Sequence, residues 1–442
     1  MSSDAMRRVQ LFARGRLADL DAETEARLLD RAPTDAPGLA ASVAKLIADV
    51  RARGDQALVE MAERFDGVRL DGLEVPREAW QHAADALHAG VRAALERAAE
   101  NVRRFHAAQI PADVSLEVEP GVRVTRSWTP LARVGVYAPG GRAAYPSSVL
   151  MGVVPAKAAG VEDVIVCSPP GPTGLPPVEV LAACAIGGAD GLFAIGGAGA
   201  VAAMVYGTES VPVADAVVGP GNRWVTEAKR QVAGEVMIDS PAGPSEVLVL
   251  ADGGADARSV ALEVLAQAEH DPDAACVVVT TDDGLASDVE AVLAELLTDA
   301  PRADICRRAL ATSGAVLIAD SLSSALEFVA RYAPEHLSVM TRNAAVDARA
   351  IRTAGTTFVG PAASVAFGDY MTGANHVLPT AGRARSFSGL STSHYLRSYT
   401  IQEIDAAGAA SMAGDVAILA EAEGLPAHAA AAKAAGALAT GT

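Results

Sequence analysis

Positive charge is scarce in this 442-residue chain: Lys and Arg total 36 against 54 Asp and Glu, a formal net charge of -18. A surface that follows a phosphate backbone needs concentrated Lys and Arg, so this balance argues against a nucleic-acid partner. Cysteine is scarce as well. The four thiols, Cys167, Cys184, Cys276 and Cys306, form no CxxC pair and no dense framework, which points to buried thiols in a reducing compartment. No run of about 18 apolar residues occurs, and the opening MSSDAMRRVQ is not followed by an apolar core of signal length. The expectation is a cytoplasmic protein without a membrane partner.

What the chain does have is apolar bulk. Half its residues are hydrophobic, a fifth are charged and 40 are glycine, a composition suited to close helix-on-sheet packing. Its length implies about two to four domains. Residues 1 to 110 read as helical, with apolar repeats over 41–65 and one long segment from Arg77 to Ile110. Beta and alpha patterns then alternate. Strands are expected at 132–137, 161–167, 192–195, 214–218, 246–250, 275–281, 315–319, 336–340 and 356–359. Unbroken runs such as VIVC, VLVL and VVV suit strands covered on both faces, hence a mainly parallel sheet.

The fold class read from this pattern is α/β, with two incomplete Rossmann-like units, N-terminal helices and a C-terminal helical arm. Residues 1–40 form an N-terminal helical segment, and 41–130 join 241–385 in a first α/β domain. Residues 131–240 form a second, Rossmann-like domain. Residues 386–442, periodic from Ile401 to Leu419, form a helical arm able to reach another subunit.

Several polar stretches do not suit a bland core. LAQAEHD puts Gln267 and His270 three residues apart at the end of a helical pattern, on one face. YAPEH sets Glu335 and His336 at a strand entrance. Those residue types move protons near neutral pH, although neighbours on extended backbone point apart, so they would act at different places on one ligand or only one would act. Asp369 and His376 share a breaker-rich loop, and Glu423 and His428 end the tail. Gln267, His270, Asp369 and His428 make an N2O2 set suited to zinc, as one combination among several. The turn from Tyr137 to Ser148 and Asn222 in GPGN each precede a helix, and each reads equally as an anion-binding start or a plain turn. Gly197-Ala-Gly199-Ala-Val-Ala202 mimics a dinucleotide fingerprint, but Glu209 is too close for the ribose carboxylate and Asp215 only nears the expected distance.

Taken together, these blocks resemble the L-histidinol dehydrogenase family. The resemblance runs from about Leu39 to Ala431 through RVGVYAPGGRAAYPSSVLMGVVPAKAAGV, VVGPGNRWVTEAKR, DSPAGPSEVLVLAD, LAQAEHD, YAPEHL, FGDYMTGANHVLPTAGRARSFSGLS and LAEAEGLPAH. It implies NAD-dependent four-electron oxidation of L-histidinol to L-histidine through L-histidinaldehyde. It further implies one zinc ion per subunit on Gln267, His270, Asp369 and His428, with His428 supplied across a domain-swapped homodimer that shares its active sites. Ser245, His336, His376 and Glu423 are implied as further substrate contacts, joining the zinc ligands. Tyr137 and Asn222 match cofactor contacts, as does Gly199, which stands where the family usually has Gln; the change implies a lost side-chain contact to NAD, with weaker or rearranged cofactor binding that Gly199→Gln would restore. His336 is expected to act as general base and Glu335 to activate water. The alternatives are a zinc- and NAD-dependent dehydrogenase of another small polar alcohol, or a non-catalytic nucleotide- or metal-binding protein.

Overall fold

The computed structural model describes residues 9–31, 37–140 and 144–438. Strand β1 (Ala13–Arg16) opens the chain. β2 (Val114–Glu119) and β3 (Val122–Pro130) follow an extended helical stretch. Then come β4 (Arg133–Tyr137), β5 (Asp163–Ser168), β6 (Gly191–Ala194), β7 (Ala216–Val218) and β8 (Met237–Ile238). The second alternating run is β9 (Glu246–Ala251), β10 (Ala275–Thr280), β11 (Gly314–Ile318), β12 (His336–Met340) and β13 (Thr356–Val359), and β14 (Leu396–Ile404) lies in the tail.

Two parallel sheets result. One has the order β6-β5-β4-β7-β8 and the other β1-β11-β10-β9-β12-β13. Leaving out β1, both follow the same winding: third, second, first, fourth, fifth strand of the unit. Every residue of β9, β10 and β12 is buried, as their unbroken Val and Leu runs require of strands covered on both faces. The mainly parallel α/β reading therefore holds.

Four features differ from the sequence reading. The segment before residue 110 is not wholly helical, because Ala13–Arg16 pairs in parallel with β11. Four residues containing a glycine are too few to display a strand's alternation. Arg77 to Ile110 is two helices, Arg77–Ala86 and Ala89–Ala107. They part at His88, whose Nδ1 accepts the Gly90 N–H at 3.2 Å and caps the second. A third sheet, antiparallel in the order β14-β3-β2, takes residues 114–130, and it also takes the first residues of the arm expected to be helical from Ile401. Beyond it, helices Ala406–Ala422 and Pro426–Ala437 form the arm.

The fourth difference concerns which sheet the early helices cover. Val43, Val50, Trp80 and Val102 share one core with Val134, Val136, Ile165 and Met204 of the five-stranded unit, and of residues 241–385 only Val377 and Met371 reach it among the described residues. The cause is local. Leu73–Val75 lies along the free edge of β6, with Val75 N–H donating to Leu192 and Ala194 N–H to Leu73, both at 2.8 Å. Once that edge is paired, the helices on either side must land on the same sheet. Among the described residues no helix is long and apolar enough to cross a membrane.

Candidate active site

The link from β8 to β9 is only residues 239–245, so the carboxyl end of the five-stranded sheet faces the amino end of the six-stranded one. At the first of these ends, β4 and β7 part company where the strand order reverses, the usual ligand crevice of an open parallel sheet. Tyr137 closes β4 there. Its hydroxyl accepts the Gly197 N–H at 3.2 Å, and burial pushes its pKa up to about 12, so it keeps its proton to donate. Gly219 follows β7 at φ 117°, and a Cβ on it would meet the Tyr137 carbonyl oxygen at 2.2 Å, so only glycine fits. Beneath it, the buried Lys229 Nζ donates to the Gly219 carbonyl at 2.9 Å and to Asp239 at 2.5 Å, while Asp239 accepts the Gly219 N–H at 2.9 Å. Asn222 caps helix Arg223–Val232, its side-chain oxygen accepting from Trp224 and Val225 N–H. Gly141, Arg142 and Ala143 of the preceding glycine-rich turn lie outside the described residues.

The facing end carries the titratable groups. Glu335 precedes β12 and His336 is its first residue, and both are buried. Glu335 Oε2 accepts the Glu246 N–H at 2.6 Å, and His336 Nδ1 donates to the Glu246 carbonyl at 2.9 Å. The two side chains approach to 3.5 Å, so they do not point apart as extended backbone would dictate. Ala333 at φ 50° bends the chain before Pro334, and Glu335 lies in the turn and not on the pleat. With Nδ1 committed to a carbonyl, Nε2 is the nitrogen that gains or gives up the titrating proton, and it is buried without a hydrogen bond and stands 3.6 Å from Asp369 Oδ1. Burial raises the Glu335 carboxyl above its usual range. Burial alone would depress His336, but the Glu335 and Asp369 carboxylates more than offset it and raise the imidazole well above the ordinary value.

Asp369, on helix Val365–Tyr370, is the hub of three histidines. His376 Nδ1 donates to its carbonyl at 2.9 Å, and the charges of His336, His376 and His270 all act to hold the Asp369 carboxyl down, against the opposing effect of burial. Burial lowers His376 itself. Gln267 is buried on helix Ala257–Ala268, and His270 follows one turn on, its N–H bonded to the Gln267 carbonyl. Ser245 borders the same end, its carbonyl accepting the Ala275 N–H.

Comparison with known proteins decides the family. The family model for histidinol dehydrogenase matches residues 29–435. The chain belongs to the histidinol dehydrogenase family. Histidinol dehydrogenase of Methanothermobacter thermautotrophicus is 45% identical over 414 residues, 94% of this chain and 97% of that protein. The Halobacterium salinarum histidinol dehydrogenase is 47% identical over 416 residues, again covering 94% and 97%. The crystal structure of histidinol dehydrogenase from Elizabethkingia anophelis superposes with a TM-score of 0.91 at 33% identity, covering 97% of this chain and 98% of that one. Membership makes the chain an oxidoreductase of histidine biosynthesis.

A single chain brings together some of the residues expected of a histidinol dehydrogenase and leaves others apart. Glu335, His336, Asp369, His376 and His270 gather at one end of the six-stranded sheet, with Gln267 and Ser245 at its border. Glu423 and His428 are exposed on the arm, and no hydrogen bond or ion pair among the described residues links them to that cluster. Gly199 lies buried in helix Gly197–Tyr206, and a Cβ there would meet Leu58 and Met61 at 3.1 Å. The fingerprint look-alike follows β6, the unit's third strand and not its first. Both acids weighed for it are engaged elsewhere: Glu209 accepts the Asp55 N–H, and Asp215 accepts the N–H groups of Ala132 and Arg133. All four cysteines are buried, and burial raises each thiol. A thiolate nucleophile is therefore disfavoured. Sequence reasoning missed Glu246, Arg31, Lys229 and Asp239. Glu246 did leave a signal, an acid opening an otherwise wholly apolar strand.

Proposed function

We propose that the protein oxidises L-histidinol to L-histidine by way of L-histidinaldehyde, the last two steps of histidine biosynthesis. The observation that carries this reading is the buried Glu335–His336 pair, whose His336 Nε2 lacks a hydrogen bond and faces Asp369. His336 takes the proton of the substrate alcohol at Nε2, and later that of the aldehyde hydrate. Glu335, held by the Glu246 N–H, activates the water that adds to the aldehyde. NAD, when bound, accepts a hydride in each of the two oxidations. Tyr137 and Asn222, at the strand-order reversal, are the residues that would hold it, with the protonated Tyr137 hydroxyl as a donor.

The donor set suits zinc. Gln267 offers an amide on a buried residue, His270 an imidazole and Asp369 a carboxylate. Among the described residues of one chain no group of three or more His, Cys, Asp and Glu is gathered closely enough to hold a metal, so the set is incomplete without a further ligand. His428, exposed on the arm, is the ligand we assign to it from a second copy. Zinc bound there would orient the imidazole and amine of histidinol against the catalytic pair. His376 and Ser245, and Glu423 from the arm, line the remainder of the substrate position. A homodimer with shared sites agrees with the apolar surface that a single chain leaves uncovered: Val114, Leu116 and Val118 on β2, and Ile418 and Leu419 on the arm.

The test is the NADH yield from limiting L-histidinol with excess NAD and zinc-loaded protein. Two NADH per substrate, with histidine as product, are expected, and chelation should abolish both. No NADH from histidinol with zinc verified as bound would overturn the reading.

A further inference from the structure

Arg31 lies in the N-terminal segment, 215 positions from Glu246, yet its side chain is only 8% exposed. Its Nε and Nη2 form a fork on the two Glu246 carboxylate oxygens, both at 3.0 Å. Nη2 also donates to the Tyr332 carbonyl at 2.8 Å, Nη1 donates to the Leu28 and Leu29 carbonyls, and the guanidinium lies 3.5 Å above the Tyr332 ring. The Glu246 carboxylate takes one more bond, from the Ala381 N–H at 2.6 Å, where the alanine backbone is held at φ 55°. Two separate segments, those of Arg31 and Ala381, thus converge on one buried acid.

The main chain of that same residue is what holds both members of the catalytic pair. Its N–H binds Glu335 and its carbonyl binds His336 Nδ1. A small displacement of the Glu246 backbone would therefore disturb its bonds to Glu335 and to the His336 ring together. A buried ion pair is a poor way to stabilise a fold, because desolvating two charges cancels much of their attraction. A two-toothed arginine fork is a good way to fix an orientation. We infer that Arg31 is a positioning residue for the reaction, acting through Glu246 to fix the catalytic pair. The inference rests on the role given to Glu335 and His336 above.

The experiment compares wild type, Arg31→Met and Arg31→Lys as full-length, zinc-loaded protein, measuring Tm, bound zinc, kcat per folded enzyme and KM for histidinol and NAD. Arg31→Met is expected to lower kcat roughly 10- to 100-fold, as loss of support behind reacting groups does. Both KM values should stay within about threefold, the signature of an interaction realised in the transition state. Arg31→Lys, which keeps the cation but not the fork, should fall between. A merely structural role would lower Tm and folded yield and leave kcat per folded enzyme within about twofold of wild type, and that result overturns the inference. Should Arg31→Met fail to fold, a normal kcat in Arg31→Lys overturns it equally. A wild type that makes no NADH from histidinol overturns the functional reading, and the positioning role with it.

Discussion

The two parallel sheets share one strand order but present opposite ends to the site. The five-stranded sheet offers its carboxyl end, as open parallel sheets usually do. The six-stranded sheet offers its amino end, where Glu246 and His336 are the first residues of β9 and β12. The difference is electrostatic. At the carboxyl end of the six-stranded sheet, Asp252 accepts the Gly254 and Arg342 N–H groups, and Asp282 caps helix Asp283–Asp299. Acids already occupy the donors that a phosphate would need there. The corresponding turns of the five-stranded unit, after Tyr137, Ile195 and Val218, carry glycine and no acid of their own, and the one acid that reaches them, Asp239 at the Gly219 N–H, is neutralised by the buried Lys229. Topology supplies two equivalent crevices, and side-chain charge decides that only one of them suits an anionic ligand.

If the ends divide the work, lesions at each should separate kinetically. The largest effect belongs to His336→Asn, which should lower kcat about 10³-fold, as loss of a general base does, with little change in NAD affinity. Steady-state kinetics with dinucleotide titration checks this. A matching rise in NAD KM would mean that the two ends are not separate.

Asp239→Asn is the counterpart at the carboxyl end of the five-stranded sheet. It leaves the buried Lys229 charge without its partner and frees the Gly219 turn. The expected cost is about 3–5 kcal/mol of stability, from breaking a buried pair by removing one member. In folded enzyme the lesion should appear as a raised NAD KM with kcat largely kept. Denaturant titration and kinetics read the two outcomes, and unchanged stability would contradict the burial of the pair.

A pH test separates the early helices from the catalytic end. His106 is wholly buried in the core of the five-stranded unit, its Nδ1 donating to the Val102 carbonyl at 2.9 Å, and burial lowers its pKa from 6.5. Between the lowered folded value and 6.5 the unfolded chain binds more protons, so stability rises with pH. The contribution is therefore complete above pH 6.5 and is lost as pH falls through that value toward the folded one. The Tm of His106→Leu should fall less than that of wild type between neutral and mildly acidic pH. Parallel curves would assign the acid sensitivity to other groups.

What the sequence made legible follows from the range of the interactions. Nine of the ten strands from residue 132 to 359 announce themselves locally, each expected within about three residues of where it lies, and only the two-residue β8 was missed. The cluster of Glu335, His336, Asp369 and His376 was readable because turns and strand entrances with acids and imidazoles stand out against apolar neighbours. The third sheet was not, because β14 pairs with β3 across more than 260 residues and its own Ile and Tyr spacing admits either element. Arg31 gave no signal at all, since its partner Glu246 is 215 residues away. The side of the early helices was equally hidden, being fixed by the Leu73–Val75 edge pairing and not by the helices' own apolar stripes.

The smallest effect tests a single glycine. A Gln at Gly199 was expected to restore a cofactor contact, but a Cβ there points at Leu58 and Met61 at 3.1 Å, within the core shared with the early helices. Both contacts are ends of flexible side chains, so room can be made, but at a cost that offsets part of any new hydrogen bond. One net hydrogen bond contributes about 0.5–1.5 kcal/mol, a ceiling of roughly tenfold in NAD affinity. Gly199→Gln should therefore tighten NAD by less than about tenfold, with Gly199→Ala measuring the crowding alone. Equal NAD affinity for Gln, Ala and wild type would mean that this position faces only the core. The carboxyl end of the five-stranded sheet would then hold its ligand by backbone turns, Tyr137 and Asn222 without help from helix Gly197–Tyr206.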